Sequence, residues 1–375
     1  MNATNPSITS FGLELHDLFR MEDGWRIAAP SEWPRRRKEL ADILQSAFYG
    51  TLPPTPPRTA CDVIQDIPVA LLGDLRHIQA KVLPCPGSDF SFTLNLYLPP
   101  QSQARFPVLL SGDGCWHYIT PDILRGIVRR GYALALFNRC EIVPNIPPAD
   151  RSARFQRLHP GNTFGAVAAW AWGFHRVMDI LPQFPEIDAT RVAVSGHSRG
   201  GKASLLAGAL DERIAIVSSN NSGSGGAGCW RFNGPKAEPL DAMLDNFPTW
   251  FAPSLEAYRG RQEQLPLDHH FVKALCAPRP LLSTEALDDL WANPAGTFLT
   301  HLAAREAYAF LGAREDAIGI HFRPGTHFYG ADAVEALLDF CDLHFFGKPT
   351  ATEFCKSPFG ELPQAFAWRA PTKGG

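Results

Sequence analysis

The order of segments in this sequence predicts an α/β protein: a three-layer αβα sandwich built on a doubly wound, mostly parallel sheet, with inserted loops over one edge. Three observations carry that expectation. Continuous apolar runs at Pro107 to Leu110, Tyr132 to Phe137 and Arg191 to Ser195 suit strands covered on both faces. Helix-period segments separate them. Gly165 to Leu181 is the clearest, with Val167, Trp170, Ala171, Phe174, Val177, Met178 and Leu181 recurring at three and four residues and Pro182 just past its end. Finally, Gly196-His197-Ser198-Arg199-Gly200 lies between an apolar run and the small, helix-friendly Lys202 to Leu210, so the chain reads strand, sharp turn, helix.

In chain order, residues 1–58 supply a helix from Pro34 to Tyr49 and then TLPPTPP, an extended connection because proline lacks the N–H a helix needs. Both should pack on the main domain. Phe90, Phe92, Leu94, Leu96 and Leu98 alternate with Ser91, Thr93, Asn95 and Tyr97, the pattern of a half-buried, antiparallel strand. The parallel sheet begins with the runs at Pro107 and Tyr132, joined through a helix around Pro121 to Arg130. Gly165 to Leu181 should pack on the sheet beside the turn at Ser198. Ile214 to Val217 is a further strand, and SSNNSGSGGAG opens an irregular insertion, residues 219–278, of the kind that builds walls over a site. Pro280 to Ser283 gives a strand running into Glu285 to Trp291. A helix from Gly296 to Leu311, the last strand from Ile318 to Phe322 and a closing helix from Ala331 to Phe345 complete one domain spanning 1–375.

Composition narrows the function. At 375 residues and 45% hydrophobic content the chain can bury a full core, while a net charge of −3 with 19% charged residues leaves no electrostatic footprint for nucleic acid or an anionic membrane. Eight cysteines are scattered without a C-x-x-C pair, which removes the common zinc and thioredoxin-like patterns; no metal or cofactor is expected. The N-terminus shows no basic segment followed by a long apolar one, and no window approaches the length of a membrane span. That pattern fits a cytoplasmic protein, or a secreted or periplasmic one whose leader has been removed. A monomer is expected.

In its context the Ser198 pentapeptide is the nucleophile elbow of an α/β-hydrolase, in which flanking glycines let the backbone turn tightly and lift the serine hydroxyl above the sheet. Acid and base then follow in the order Ser, acid, His, in loops after the last two strands. His327, in Arg323-Pro324-Gly325-Thr326-His327, is the base. His197, His269, His270 and His321 are expected in core or surface roles. The acid belongs to Glu285–Trp291: Asp289 first, Asp288 as the alternate, Glu285 third, its task being to accept the Nδ1 hydrogen of His327 and fix its tautomer. The backbone N–H of Arg199 is the expected oxyanion donor, with its guanidinium as a second.

These segments resemble the glucuronoyl esterases, carbohydrate esterase family 15, and the bacterial branch most closely. The similarity rests on GAVAAWAWG (165–173), IDATRVAVSGHSRGGKASLLAGALDERIA (187–215), SNNSGSGGA (219–227), FPTWF (247–251), APRPLL (277–282) and DLWANP (289–294). It covers roughly residues 130–345, and the N-terminal third is only loosely similar. The resemblance implies Ser198 and His327 as nucleophile and base, the Arg199 side chain in the oxyanion hole, and Lys202 holding hydroxyls of a glucuronoyl ring. It also implies Trp291 against the sugar, Glu238, aligned by counting back from Phe247, as a hydroxyl acceptor, and Trp230 facing a 4-O-methyl group. The chain departs from many members at Asn221, where they carry the triad acid; others use the loop that here holds Asp289.

The implied activity is hydrolysis of esters of (4-O-methyl-)D-glucuronic acid, as in links between xylan side chains and lignin alcohols, by a Ser-His-Asp triad through an acyl-enzyme. The partner would be a small-molecule or oligosaccharide uronate ester. Two other readings stay open: an acetyl xylan or other small-acyl carboxylesterase, and a hydrolase fold that binds carbohydrate without turnover, which Asn221 and the missing export signal would suit.

Overall fold

The computed structural model describes residues 9–10, 14–85, 87–100, 105–146 and 150–372. Its main sheet has nine strands: β1 Ala60–Val69, β2 Leu75–Leu83, β3 Phe92–Leu98, β4 Phe106–Ser111, β5 Ala133–Phe137, β6 Ile187–Ser195, β7 Ile216–Asn220, β8 Leu281–Ala286 and β9 Ile318–Arg323. The spatial order is β9-β8-β7-β6-β4-β5-β3-β2-β1. Neighbours from β5 through β4, β6, β7 and β8 to β9 run parallel, and β1, β2, β3 and β5 pair antiparallel. Helices α1 Trp33–Leu44, α2 Pro121–Arg129, α3 Ala166–Ile180, α4 Arg199–Leu210, α5 Leu240–Asn246, α6 His270–Cys276, α7 Pro294–Phe310 and α8 Ala331–Phe346 accompany it.

The parallel strands form where the continuous apolar runs lie. Every residue of β4 is buried, as is every residue of β7 and β8, because helices cover both faces of the sheet. In β3 the buried residues Phe92, Leu94, Leu96 and Leu98 alternate with half-buried Thr93, Asn95 and Tyr97. The expected amphipathic stripe of α3 proves too narrow: His175 and Arg176 are buried as well. They are tolerated because His175 Nε2 meets the Ala207 carbonyl on α4 at 3.0 Å and Arg176 pairs with Asp179 at 2.9 Å.

Two strands and two helices go beyond what the sequence suggested. In β2 the buried Leu75, Ile78, Ala80 and Val82 are interrupted by the adjacent polar pair Arg76-His77, and β1 is an edge strand with most of its residues exposed, so neither shows a clean hydrophobic pattern. The insertion after β7 is not wholly irregular, since it folds into α5 and α6. Among the described residues no helix is long and apolar enough to cross a membrane.

Candidate active site

The turn between β6 and α4 is built from steric necessity. Ser198 has φ 57° and ψ −122°, a strained conformation for a residue with a side chain, of the kind that persists only where the surroundings enforce it. A Cβ on Gly196 would lie 2.2 Å from the Gly200 carbonyl oxygen, and one on Gly200 would lie 2.0 Å from Asp113 Oδ1. Only glycine fits at either place. Asp113, buried in the loop after β4, accepts the His197 N–H at 2.7 Å and pairs with the fully buried Arg139. The Ser198 N–H is given to the Asn220 carbonyl at 2.8 Å, which ties the elbow to the end of β7.

The loops after β8 and β9 meet beside this turn. His327 Nδ1 lies 2.6 Å from Asp289 Oδ2, and because a carboxylate can only accept, the ring proton sits on Nδ1 and Nε2 is left basic. The same Asp289 oxygen accepts from Asn221 Nδ2 at 2.6 Å. Burial alone pushes the Asp289 pKa up; the hydrogen bonds and charge of His327, with Asn221, more than offset it and hold the carboxyl below its ordinary value. Asp288 is exposed and accepts the Gly325 N–H at 3.1 Å, so it fastens the histidine loop and does not touch the ring. Glu285 is buried inside β8 without a side-chain hydrogen bond, and burial raises its pKa well above the usual carboxylate range. Arg323, the last residue of β9, donates to the Phe328 carbonyl and to Asn221 Oδ1 at 3.4 Å, which wraps the loop carrying His327.

Ser198, Arg199, Lys202, Glu238, Trp291 and His327 line one cavity of about 240 Å³. That is smaller than the ~300–1,000 Å³ of a drug-sized cleft and suits a single ring. The Lys202 Nζ donates to the carbonyls of Ser222, at 2.6 Å, and Ser224. Burial pulls its pKa down to about 8 while Glu238 draws it back up. Burial likewise raises Glu238, opposed by Lys202, Arg199 and a hydrogen bond from the Trp291 side chain. Trp291 remains 48% exposed and gives its backbone carbonyl to the Glu238 N–H at 3.0 Å. One wall therefore carries a buried ammonium, a buried carboxyl and an indole, the chemistry that takes hydroxyls and the C–H face of a sugar.

Trp230 does not belong to this cavity. It is fully buried, stacked on Phe48 at 5.6 Å and edge-on to His269 at 4.6 Å. Its segment is turned inward by Asp268, whose carboxylate accepts the N–H groups of Trp230, Arg231 and His269. The expected contact with a 4-O-methyl group is corrected accordingly.

The sequence model described as "Glucuronyl esterase, fungi" matches residues 85–312, more than half of the chain. This protein belongs to the glucuronoyl esterase family. It is 30% identical to "Carbohydrate esterase MZ0003" from an unknown prokaryotic organism, over 89% of this chain and 90% of that protein. It is also 30% identical to the 4-O-methyl-glucuronoyl methylesterase of Podospora anserina, over 81% of this chain, and spans 61% of that relative's length. A carbohydrate esterase family 15 glucuronoyl esterase from Caldicellulosiruptor kristjansonii superposes with a TM-score of 0.81 at 32% identity, covering 96% of this chain and 99% of that one. The glucuronoyl esterase catalytic domain from Hypocrea jecorina gives 0.79 at 26%, over 97% and 98%. The fold of the family is the α/β-hydrolase fold, and its members are carboxylic ester hydrolases.

Several residues around this cavity carry no local signal in the sequence. Asp113 and Arg139 under the elbow and Arg323 behind the histidine loop act through contacts between distant segments, and Asn221, legible only as a departure from the family's pattern, donates to Asp289. Phe247 and Trp250, which also line the cavity, lie in FPTWF, a segment noted only for its similarity.

Proposed function

We propose that this protein is a serine esterase that hydrolyses esters of (4-O-methyl-)D-glucuronic acid, with Ser198 as nucleophile, His327 as general base and acid, and Asp289 as the residue that orients it. Ser198 Oγ attacks the C6 carbonyl carbon while His327 Nε2 takes its proton. The carbonyl oxygen becomes negative beside the Arg199 N–H and guanidinium, which stabilise it electrostatically. His327 then protonates the leaving alcohol as the ester C–O bond breaks, and a uronoyl group stays on Ser198. Water, deprotonated by the same nitrogen, attacks that ester; the proton returns to Ser198 and the uronic acid leaves. Lys202, Glu238 and Trp291 would hold the sugar, which assigns the acyl side of the ester to the cavity and the alcohol to its mouth.

One observation carries this reading: the imidazole bonded to Asp289 shares a cavity sized for one ring with Ser198 and with the Lys202, Glu238 and Trp291 wall. Similarity to named glucuronoyl methylesterases supports the same substrate class. The test compares purified protein on benzyl glucuronate and on an acetyl ester of the same alcohol. Preference for the uronate supports the assignment; preference for the acetate would sink it, and no turnover of either would favour binding alone.

A further inference from the structure

Burial, with Arg139 adding to it, pulls the pKa of Arg199 down. Among the described residues no carboxylate pairs with its guanidinium and no side-chain hydrogen bond fixes it. A long cation left so would sample many rotamers, and an oxyanion donor is useful only if it is aimed beforehand. What surrounds it is aromatic. Its Cζ lies 4.6 Å from the ring centroid of Trp250, 5.4 Å from Phe247 and 5.5 Å from Trp116, all within reach of a cation–π attraction. Trp250 and Phe247 stack on one another at 3.7 Å with their planes 9° apart, so they act as one slab, while Trp116 comes from the loop after β4.

Trp250 is itself held firmly. Its indole N–H donates to the Asn145 carbonyl at 2.9 Å, and its ring meets Trp170 of α3 edge-on at 6.1 Å. The N-terminus of α3 fixes its backbone: Ala166 N–H reaches the Thr249 carbonyl at 2.9 Å and Val167 N–H the Trp250 carbonyl at 3.2 Å, donors that the first turn of a helix otherwise leaves unpaired.

We propose that Trp250 is a positioning residue for Arg199: with Phe247 and Trp116 it forms an aromatic cradle that holds the guanidinium by its face and leaves the N–H edge free for the ester carbonyl oxygen. A carboxylate partner would occupy two of the five N–H donors and cancel the charge; a ring face does neither. The inference rests on the esterase reading above and adds how its charged donor is aimed.

A double-mutant cycle on kcat and KM for benzyl glucuronate tests it. Trp250→Leu should lower kcat about tenfold, between the strength of an exposed and of a fully desolvated cation–π contact as suits the half-buried Arg199, with KM changed less than about threefold. In an Arg199→Ala background the same substitution should change kcat less than about twofold, and Trp250→Phe should restore most of the single-mutant loss. Equal losses in both backgrounds, no loss in the single variant, or a rise in KM with kcat unchanged, as a direct sugar contact would give, would overturn the proposal. If Trp250→Leu does not fold, Trp116→Leu carries the same cycle, because that ring is 41% exposed on a loop. Should the protein cleave an aryl acetate and not the glucuronate, the substrate assignment fails alone and the cycle is run on the acetate; turnover of neither ester overturns both.

Discussion

Replacing Asp289 by asparagine tests how the imidazole is held. One carboxylate oxygen, nearly buried, takes hydrogen bonds from His327 Nδ1 and from Asn221 Nδ2, both at 2.6 Å. An amide keeps only one oxygen, and where that oxygen takes the Ala292 N–H its NH2 stands at the position His327 and Asn221 now share, donates to the imidazole and favours the tautomer whose proton sits on Nε2, the atom that must be basic. In the serine-protease triad the same change costs about 10⁴-fold in kcat, or about 5 kcal/mol of transition-state stabilisation. The expectation here is a loss of about that size, with denaturation behaviour close to wild type. Asp288→Asn is the matched control: its carboxylate is exposed and accepts only the Gly325 N–H at 3.1 Å, a bond worth about 0.5–1.5 kcal/mol, so the loss should stay within about tenfold. Initial rates on methyl glucuronate decide. An Asp289→Asn enzyme within tenfold of wild type, or an Asp288→Asn enzyme that falls as far, would refute the assignment.

Three further outcomes follow from the geometry. Gly200→Ala should cost about 1–3 kcal/mol in chemical denaturation and reduce kcat with it, since the new Cβ would sit 2.0 Å from Asp113 Oδ1; wild-type stability and rate would contradict this. Asp113→Asn should lower stability by about 3–5 kcal/mol, because it strips the charge partner from the fully buried Arg139, and a denaturant midpoint near wild type would count against the pair. Lys202 should make sugar binding pH-dependent: with its pKa pulled from 10.5 to about 8, KM for a glucuronate ester should rise as pH passes 8 and the ammonium is lost, and Lys202→Met should flatten that rise. The same shift makes its contribution to stability increase between pH 8 and 10.5, where the unfolded chain keeps a proton that the folded one has released.

What could be read from the sequence is what local chemistry dictates. Gly196 and Gly200 announce the elbow because any Cβ there collides within a few residues or with the one acid beneath. His327 and the acidic loop at Asp288 and Asp289 are legible through chain order, but not which of the two turns inward: that is decided by Asn221, 68 residues before Asp289, whose amide shares the buried oxygen. Arg323 reaches Asn221 across 102 residues, and no spacing rule announces such a contact. Trp230 went astray for the same reason. Its motif suggested a sugar face, while Asp268, 38 residues on, turns the segment into the core. The strands β1 and β2 show no buried alternation for different reasons: β1 lies at the sheet edge and leaves even Val63, Ile64 and Ile67 exposed, while β2, one place in, has its alternation broken by Arg76-His77. The cradle around Arg199 joins the loops after β4 and α5 at the elbow, and only the folded chain brings its rings together.

The most direct measurement of the central claim is covalent labelling of the nucleophile. A fluorophosphonate reacts with an activated serine hydroxyl, and peptide mapping locates the adduct. If Ser198 is driven by His327, one phosphonyl group should map to the peptide holding Ser198 and uronate ester hydrolysis should fall in proportion to its occupancy. An adduct elsewhere, or hydrolysis that persists once Ser198 is fully labelled, would contradict the account.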